Sequence, residues 1–324
     1  MSMTPSDLPP LPGSTTSDAG TTAVNVAGGG IDRVRRSLGL TPRAFMAAVI
    51  LPIFCLLLIV ATLVAAPADE RTTIVLATVI AAAAGLSSTA IGVYGGVLVP
   101  GLLLLGVDAR YAAVASLFLQ VLVIPLGAGA HYRQGNVSRI VALPLILGGV
   151  TGAFIGPFFA AALPKDVIAR VVAGLIVLVG VAVLATLHWG GLGSVRPLNE
   201  TPRVRVGGIG LTAGFASGIS GAGWGPIGVK LLILTRIEPR IAIGSSLFGR
   251  IFMAIAAVVG YVLSSTAFNG VKPDYWLLVP LFAGSVAAML PGAMTVSKLG
   301  RERATVAITL LSISLALPTL IFGH

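Results

Sequence analysis

The sequence predicts an all-α polytopic membrane protein with two inverted-topology repeats. Each repeat is a glycine-broken helical hairpin plus three transmembrane helices, and one extra N-terminal transmembrane helix precedes them. Three observations predict this. Of 324 residues, 56% are apolar and only 10% charged, with a mean hydropathy of +1.00, against about 25% charge in a soluble domain. The apolar residues gather into runs that reach the roughly 20 needed to cross a bilayer. Two glycine-rich stretches recur at equivalent places in the two halves, and internal repeats decide a fold. The composition excludes disorder over most of the chain and argues against a soluble enzyme. A single cysteine, Cys55, excludes an intrachain disulfide framework and a cysteine-clustered metal site.

Residues 1–43 are rich in Pro, Gly, Ser and Thr and end in the basic cluster Arg33, Arg35, Arg36 and Arg43. They read as a flexible cytoplasmic tail. The first apolar run, 44–66, is long enough to span, so it is the extra helix rather than a cleaved signal. Further apolar segments follow at 72–106, 111–130, 140–163, 168–188, 205–235, 241–266, 274–293 and 303–323. Segments 72–106 and 205–235 are too long for one crossing and are interrupted by glycine. Each reads as a hairpin, either re-entrant or two short crossings, and the other seven runs are ordinary spans. The organisation is then a first repeat at 67–190, a cytoplasmic linker at 191–204 and a second repeat at 205–324.

Lys and Arg in short connections set orientation. With the tail cytoplasmic and each hairpin returning to its starting side, 14 Lys and Arg residues fall inside and five (Arg71, Arg110, Lys165, Arg170 and Lys272) fall outside. This places the N-terminus in the cytoplasm and the C-terminus outside a cell inner membrane crossed many times. The net charge of +10 then answers to topology and anionic lipid, and no nucleic-acid partner is expected.

Gly85, Ser88, Gly92 and Gly96 align with Gly214, Ser217, Gly221 and Gly225. After a one-residue adjustment, Arg110, Ala112, Ser116, Leu117 and Phe118 align with Arg240, Ala242, Ser246, Leu247 and Phe248. Inverted repeats with discontinuous helices are common among secondary transporters, whose sites lie near the midplane at the repeat interface. The competing reading is that glycine only permits close helix packing, as expected for Gly148, Gly152 and Gly156.

The glycine-rich break, then Pro100 and leucines, Ala-Ser-Leu, and the loop His131-Tyr-Arg-Gln-Gly-Asn-Val137 resemble the sulfite exporter TauE/SafE family. The second-half stretch GFASGISGAGWGP resembles that family's second repeat. The resemblance covers about residues 72–323 and leaves out the tail and helix 44–66. It implies an anion permease for sulfite, sulfonates or related organosulfur anions. The chain departs from the pattern at Gly92-Val-Tyr-Gly-Gly96, where bulky Tyr94 interrupts the glycine run.

Once the Lys and Arg residues assigned to connections are removed, Arg250 and, near a membrane edge, Lys230 remain. Arg250 is nine residues into 241–266, close to the midplane of a core about 30 Å thick. An arginine there costs at least about 2.5–3.5 kcal/mol on insertion scales, and a bound oxyanion accepting paired hydrogen bonds would offset part of that. The competing reading is a guanidinium satisfied by carbonyls of a broken helix. Gln120 is the repeat equivalent of Arg250, so the two should meet near the midplane, Arg250 supplying charge and Gln120 neutral donors to one anion. The broken helices should offer backbone N–H groups at their second arms, with Gly95, Gly96, Gly223 and Gly225 letting the anion approach. Ser116, Ser245 and Ser246 can add hydroxyls or back-bond their own helices. Tyr94 and Trp224, inside the breaks, line the path or simply pack. Lys230 reads as snorkelling to the interface.

Gly223-Trp-Gly225-Pro-Ile-Gly228 satisfies a dinucleotide-loop pattern but lacks a preceding strand in a βαβ unit. Asn136-Val-Ser138 and Asn199-Glu-Thr201 match a glycosylation pattern in connections expected to be cytoplasmic. No Walker, H-E-x-x-H or G-x-S-x-G motif occurs. The expectation is therefore a non-enzymatic permease without cofactor or metal, working by alternating access on a small anionic substrate among membrane lipids, with a homodimer left open. An anion channel, or a carrier of another small carboxylate or inorganic anion, remains the alternative.

Overall fold

The computed structural model describes residues 42–188, 197–222, 225–264, 275–299 and 301–323, and every regular element among them is helical. In order these are α1 (Pro42–Ala65), α2 (Arg71–Ile91), α3 (Gly95–Leu104), α4 (Ala109–Arg133), α5 (Arg139–Ala162), α6 (Lys165–His188), a 3-10 turn (Leu198–Glu200), α7 (Arg203–Ser220), α8 (Gly225–Leu234), α9 (Pro239–Leu263), α10 (Tyr275–Leu299) and α11 (Arg301–Phe322). Helix is the form such runs must take without water, because it satisfies every backbone group within the segment. Among the described residues, five helical stretches are long and apolar enough to cross a membrane: Arg71–Thr89, Arg139–Ala162, Lys165–Ala185, Pro239–Leu263 and Glu302–Phe322. The apolar stretches Ile50–Ala65, Ala109–Pro125 and Leu277–Met289 are shorter. The sequence reading had counted seven ordinary spans. The tail before residue 42 and most of the linker lie outside the described residues.

Both long glycine-interrupted segments are broken helices with unequal arms. The first has 21 residues in α2 and 10 in α3, and the second 18 in α7 and 10 in α8. Ten helical residues rise about 15 Å, half of a bilayer core. In the first segment the short arm folds back along the long one, since a Cβ at Gly101 of α3 would run into Ile80 of α2.

Residues 42–50 group with the N-terminal segment, and Leu51–His324 form a second unit. Within that unit, glycine decides which helices touch. Helix α5 lies against α7 with their backbones in contact. Added Cβ atoms at Gly148, Gly152 and Gly156 would strike the backbones at Gly207, Leu211 and Phe215, respectively. From the other side, Gly210, Gly214 and Gly218 face the backbones of Leu145, Gly149 and Ala153. Both sets advance by four residues in the same direction, so the helices run parallel on a small-residue seam. Helix α2 meets α10 in the same manner, Gly85 on the Ser285 backbone and Gly284 on that of Thr78. Each half's broken helix is thus seated on a full-length helix of the other half.

Gly152→Leu is expected to separate α5 from α7, because the atoms it would meet are backbone and cannot turn aside. Overpacking of this kind costs about 1–3 kcal/mol or more, so the measured outcome is loss of monodisperse protein in detergent. Gly129→Ala, where an added Cβ meets nothing within 4 Å, should leave it unchanged.

Candidate functional site

The long arm of each broken helix ends on a left-handed glycine. Gly92 has φ 77° and ψ 15°, and its N–H bonds Ser88 O at 2.9 Å. Gly221 has φ 64° and ψ 0°, and its N–H bonds Ser217 O at 2.7 Å. Glycine closes helices in this conformation because it lacks the Cβ that makes it costly. A helix C-terminus leaves carbonyls without partners and carries about half a negative charge. Inside a membrane those carbonyls need donors from elsewhere in the protein.

The donors come from α4 and α9, and the bonds cross between halves. Arg250 of α9 donates from Nη1 to the Gly92 carbonyl at 2.9 Å, and from Nε to Gln120 Oε1 at 2.9 Å. Gln120 of α4 donates from Nε2 to the Gly221 carbonyl at 2.9 Å and to Ser116 Oγ at 3.0 Å. Ser116 Oγ in turn donates to the Gly221 carbonyl at 2.9 Å. Gln120 and Arg250 are each the twelfth residue of a 25-residue helix. Both are buried, at 1% and 4% exposure. The orientation of the Gln120 amide follows from its partners, since Arg250 only donates and a backbone carbonyl only accepts.

This geometry brings Arg250, Gln120 and Ser116 together and corrects the role expected of Gln120. Both of its N–H groups are occupied, so it is not a spare donor for an anion and instead presents its oxygen to Arg250. For Arg250, the arrangement includes the broken-helix carbonyl of the competing reading. Gly95 is also reinterpreted: a Cβ there would overlap the Gly221 carbonyl and come within 2.8 Å of Ala222 Cα and Ser116 Oγ. Its smallness lets the two breaks touch each other. Gly96 is buried beside a cavity of about 20 Å³ bounded also by Val93, Ser220, Ala222, Thr309 and Ser312. That is about the space one ordered water needs.

Tyr94 is 1% exposed, and its hydroxyl shares a 2.8 Å hydrogen bond with Ser285 Oγ of α10. It therefore anchors the first break to α10. Ser245 does not join the cluster; its hydroxyl accepts the Ser138 N–H at 3.1 Å, at the start of α5. Ser246 is buried in α9. Gly225 opens α8, whereas Gly223 and Trp224 lie outside the described residues. The sequence pointed to a broken-helix carbonyl for Arg250 without saying which one, and held no hint that the Gly221 carbonyl is held by Gln120. The glycines themselves carried a signal, as both align and sit where helix-ending glycines belong.

The family model described as sulfite exporter TauE/SafE matches residues 76–318. The chain belongs to this family. It is 30% identical over 216 residues to the probable membrane transporter protein YtnM of Bacillus subtilis (strain 168), covering 64% of this chain and 70% of that protein. The probable membrane transporter protein YdhB of the same organism is 28% identical over 52% of this chain and 66% of its own length. A probable membrane transporter protein of Haemophilus influenzae is 29% identical over 67% of this chain and 83% of its own. No solved structure matches. The TauE/SafE chain described here is thus a multi-pass membrane transporter, and α1 lies outside the matched residues.

The two kinds of glycine should respond differently to alanine. Gly92→Ala meets no atom within 4 Å and carries only the left-handed backbone penalty, about 1–2 kcal/mol. Gly95→Ala drives a methyl into the Gly221 carbonyl and should lower the thermal unfolding temperature more, as read on purified protein in detergent. Equal losses would contradict the contact between the breaks.

Proposed function

We propose that this transporter moves a small sulfur oxyanion or sulfonate by alternating access between two inverted repeats, around a midplane site centred on Arg250. The carrying observation is a buried guanidinium, halfway along a membrane-spanning helix, whose acceptors among the described residues are neutral: Gln120 Oε1 and the Gly92 carbonyl. Neutral acceptors satisfy its geometry while leaving its charge uncancelled by any carboxylate among the described residues. An oxyanion supplies that countercharge, and its oxygens accept paired hydrogen bonds from a guanidinium.

Support for the repeats comes from the crossed pairing. Aligned residues Gln120 and Arg250 each reach the aligned glycine that ends the other half's broken helix. The parallel run of α5 with α7 fits both starting on the cytoplasmic side. The family's name supports sulfite as the first substrate to try, and the B. subtilis and H. influenzae relatives carry the general transporter role only. With a negative interior, the potential favours anion exit by about 2.3 kcal/mol per charge per 100 mV, so export needs no coupled ion.

Arg250→Gln removes the charge while keeping a polar amide donor on a shorter side chain. Sulfite flux in proteoliposomes should fall at least a hundredfold, with folded protein recovered in normal yield, and Arg250→Lys should restore part of it. Wild-type flux in Arg250→Gln would sink the proposal. Counterflow of labelled sulfite against sulfonates, carboxylates and inorganic anions identifies the substrate, and acceleration by internal anion separates a carrier from an open pore.

A further inference from the structure

We infer that Gln120 is a resident stand-in for the transported anion: a neutral acceptor that occupies Arg250 and yields it on substrate arrival. This rests on the reading of Arg250 as the substrate's countercharge.

The argument begins from valences. Gln120 Nε2 has two hydrogens, and both are engaged, with the Gly221 carbonyl at 2.9 Å and Ser116 Oγ at 3.0 Å. The amide is therefore held from behind with its oxygen facing Arg250 Nε at 2.9 Å. Arg250 in turn holds the Gly92 carbonyl. The chain Gly92–Arg250–Gln120–Gly221 joins the ends of the two broken helices through side chains of the opposite halves. An anion that takes the paired Nε and Nη2 donors along one edge of the guanidinium has to compete with the amide oxygen for Nε. The bond to the amide already has a charged donor, and an oxyanion adds the opposite charge that the neutral amide lacks, so the anion displaces the amide.

Substrate arrival thereby cuts the link between the two breaks at its centre, and substrate departure restores it. Gln120 acts on substrate through Arg250 and is a positioning residue. Its chemistry makes it a selectivity element for charge: a neutral oxygen-bearing solute gains nothing by replacing a neutral amide, whereas an oxyanion does.

Two substitutions with opposite consequences test this, using labelled sulfite in proteoliposomes of the full chain. Gln120→Met keeps the side chain's length but removes its acceptor together with the donors to Gly221 and Ser116, so the half-saturating sulfite concentration should fall several-fold. Gln120→Glu, of the same shape, gives Arg250 a permanent carboxylate, so that concentration should rise at least tenfold. A merely structural role would lower maximal flux without moving half-saturation in opposite directions. Weaker apparent binding in Gln120→Met would mean that Gln120 contacts the anion itself and would overturn the inference, as would unchanged half-saturation in Gln120→Glu. Where one variant yields no folded protein, the other decides alone. The Arg250 reading is judged separately: with Arg250→Gln inactive and the Gln120 shifts absent, the inference fails and the reading stands. Wild-type protein that moves no sulfite removes both.

Discussion

The structure depends on capping two helix ends where there is no water to cap them. Breaking a helix inside a bilayer leaves carbonyls at the end of its first arm, and each unsatisfied group costs several kcal/mol in hydrocarbon. Here both ends turn on a left-handed glycine, and both receive side-chain donors from a helix of the other half. The cation on Arg250 suits this task, because a helix C-terminus carries partial negative charge. The partners of Arg250, Gln120 and Ser116 are consequences of where the two breaks meet.

Close approach of the breaks has to be prepared elsewhere, and the small-residue seams prepare it. Helices α5 and α7 touch backbone to backbone along two rows of glycines, and α2 and α10 do the same at Gly85 and Gly284. In a membrane, apolar burial gives helices no preference for one another over lipid, so van der Waals fit and polar contacts decide association. Large side chains on these seams would push the long arms outward and pull Gly92 and Gly221 away from Arg250 and Gln120. The Tyr94 hydroxyl bond to Ser285 is a further tie from break to scaffold. Packing and site are thus one arrangement viewed at two depths.

Arg250 was legible by elimination, since nearly every other charge belongs to a connection, and Gln120 was legible through the alignment of the halves. The all-helical class and the family were legible from composition and spaced motifs. What was not legible is direction within the hydrogen bonds. Residue identity says that glutamine can donate and accept, and only its neighbours say which end does which. Ser245 and Ser246 show a second limit: adjacent helical residues point about 100° apart, so two neighbouring serines cannot face one centre. Ser245 looks toward Ser138. Glycine is ambiguous for a third reason, because the absent side chain can admit a ligand or a backbone. At Gly95 the neighbour is backbone.

The same physics explains why equivalent positions carry different residues. Arginine at both 120 and 250 would cap both helix ends, but two like charges about 4 Å apart cost about 4 kcal/mol even at an effective dielectric of 20. Glutamine at both would cap both ends without repulsion and leave no charge to answer an anion. One of each caps two helix ends, lets the amide oxygen accept from the guanidinium, and leaves a single positive charge at the centre. The helices around them are unequal as well: α9 lies along α5, while α4 and α10 touch far less. Near that second meeting, Cys55 of α1 packs with Val123, Ala283 and Val286. Under the proposed alternating access, two repeats related by inversion exchange arrangements and so differ at any moment, and an inequality of this kind is what that proposal expects.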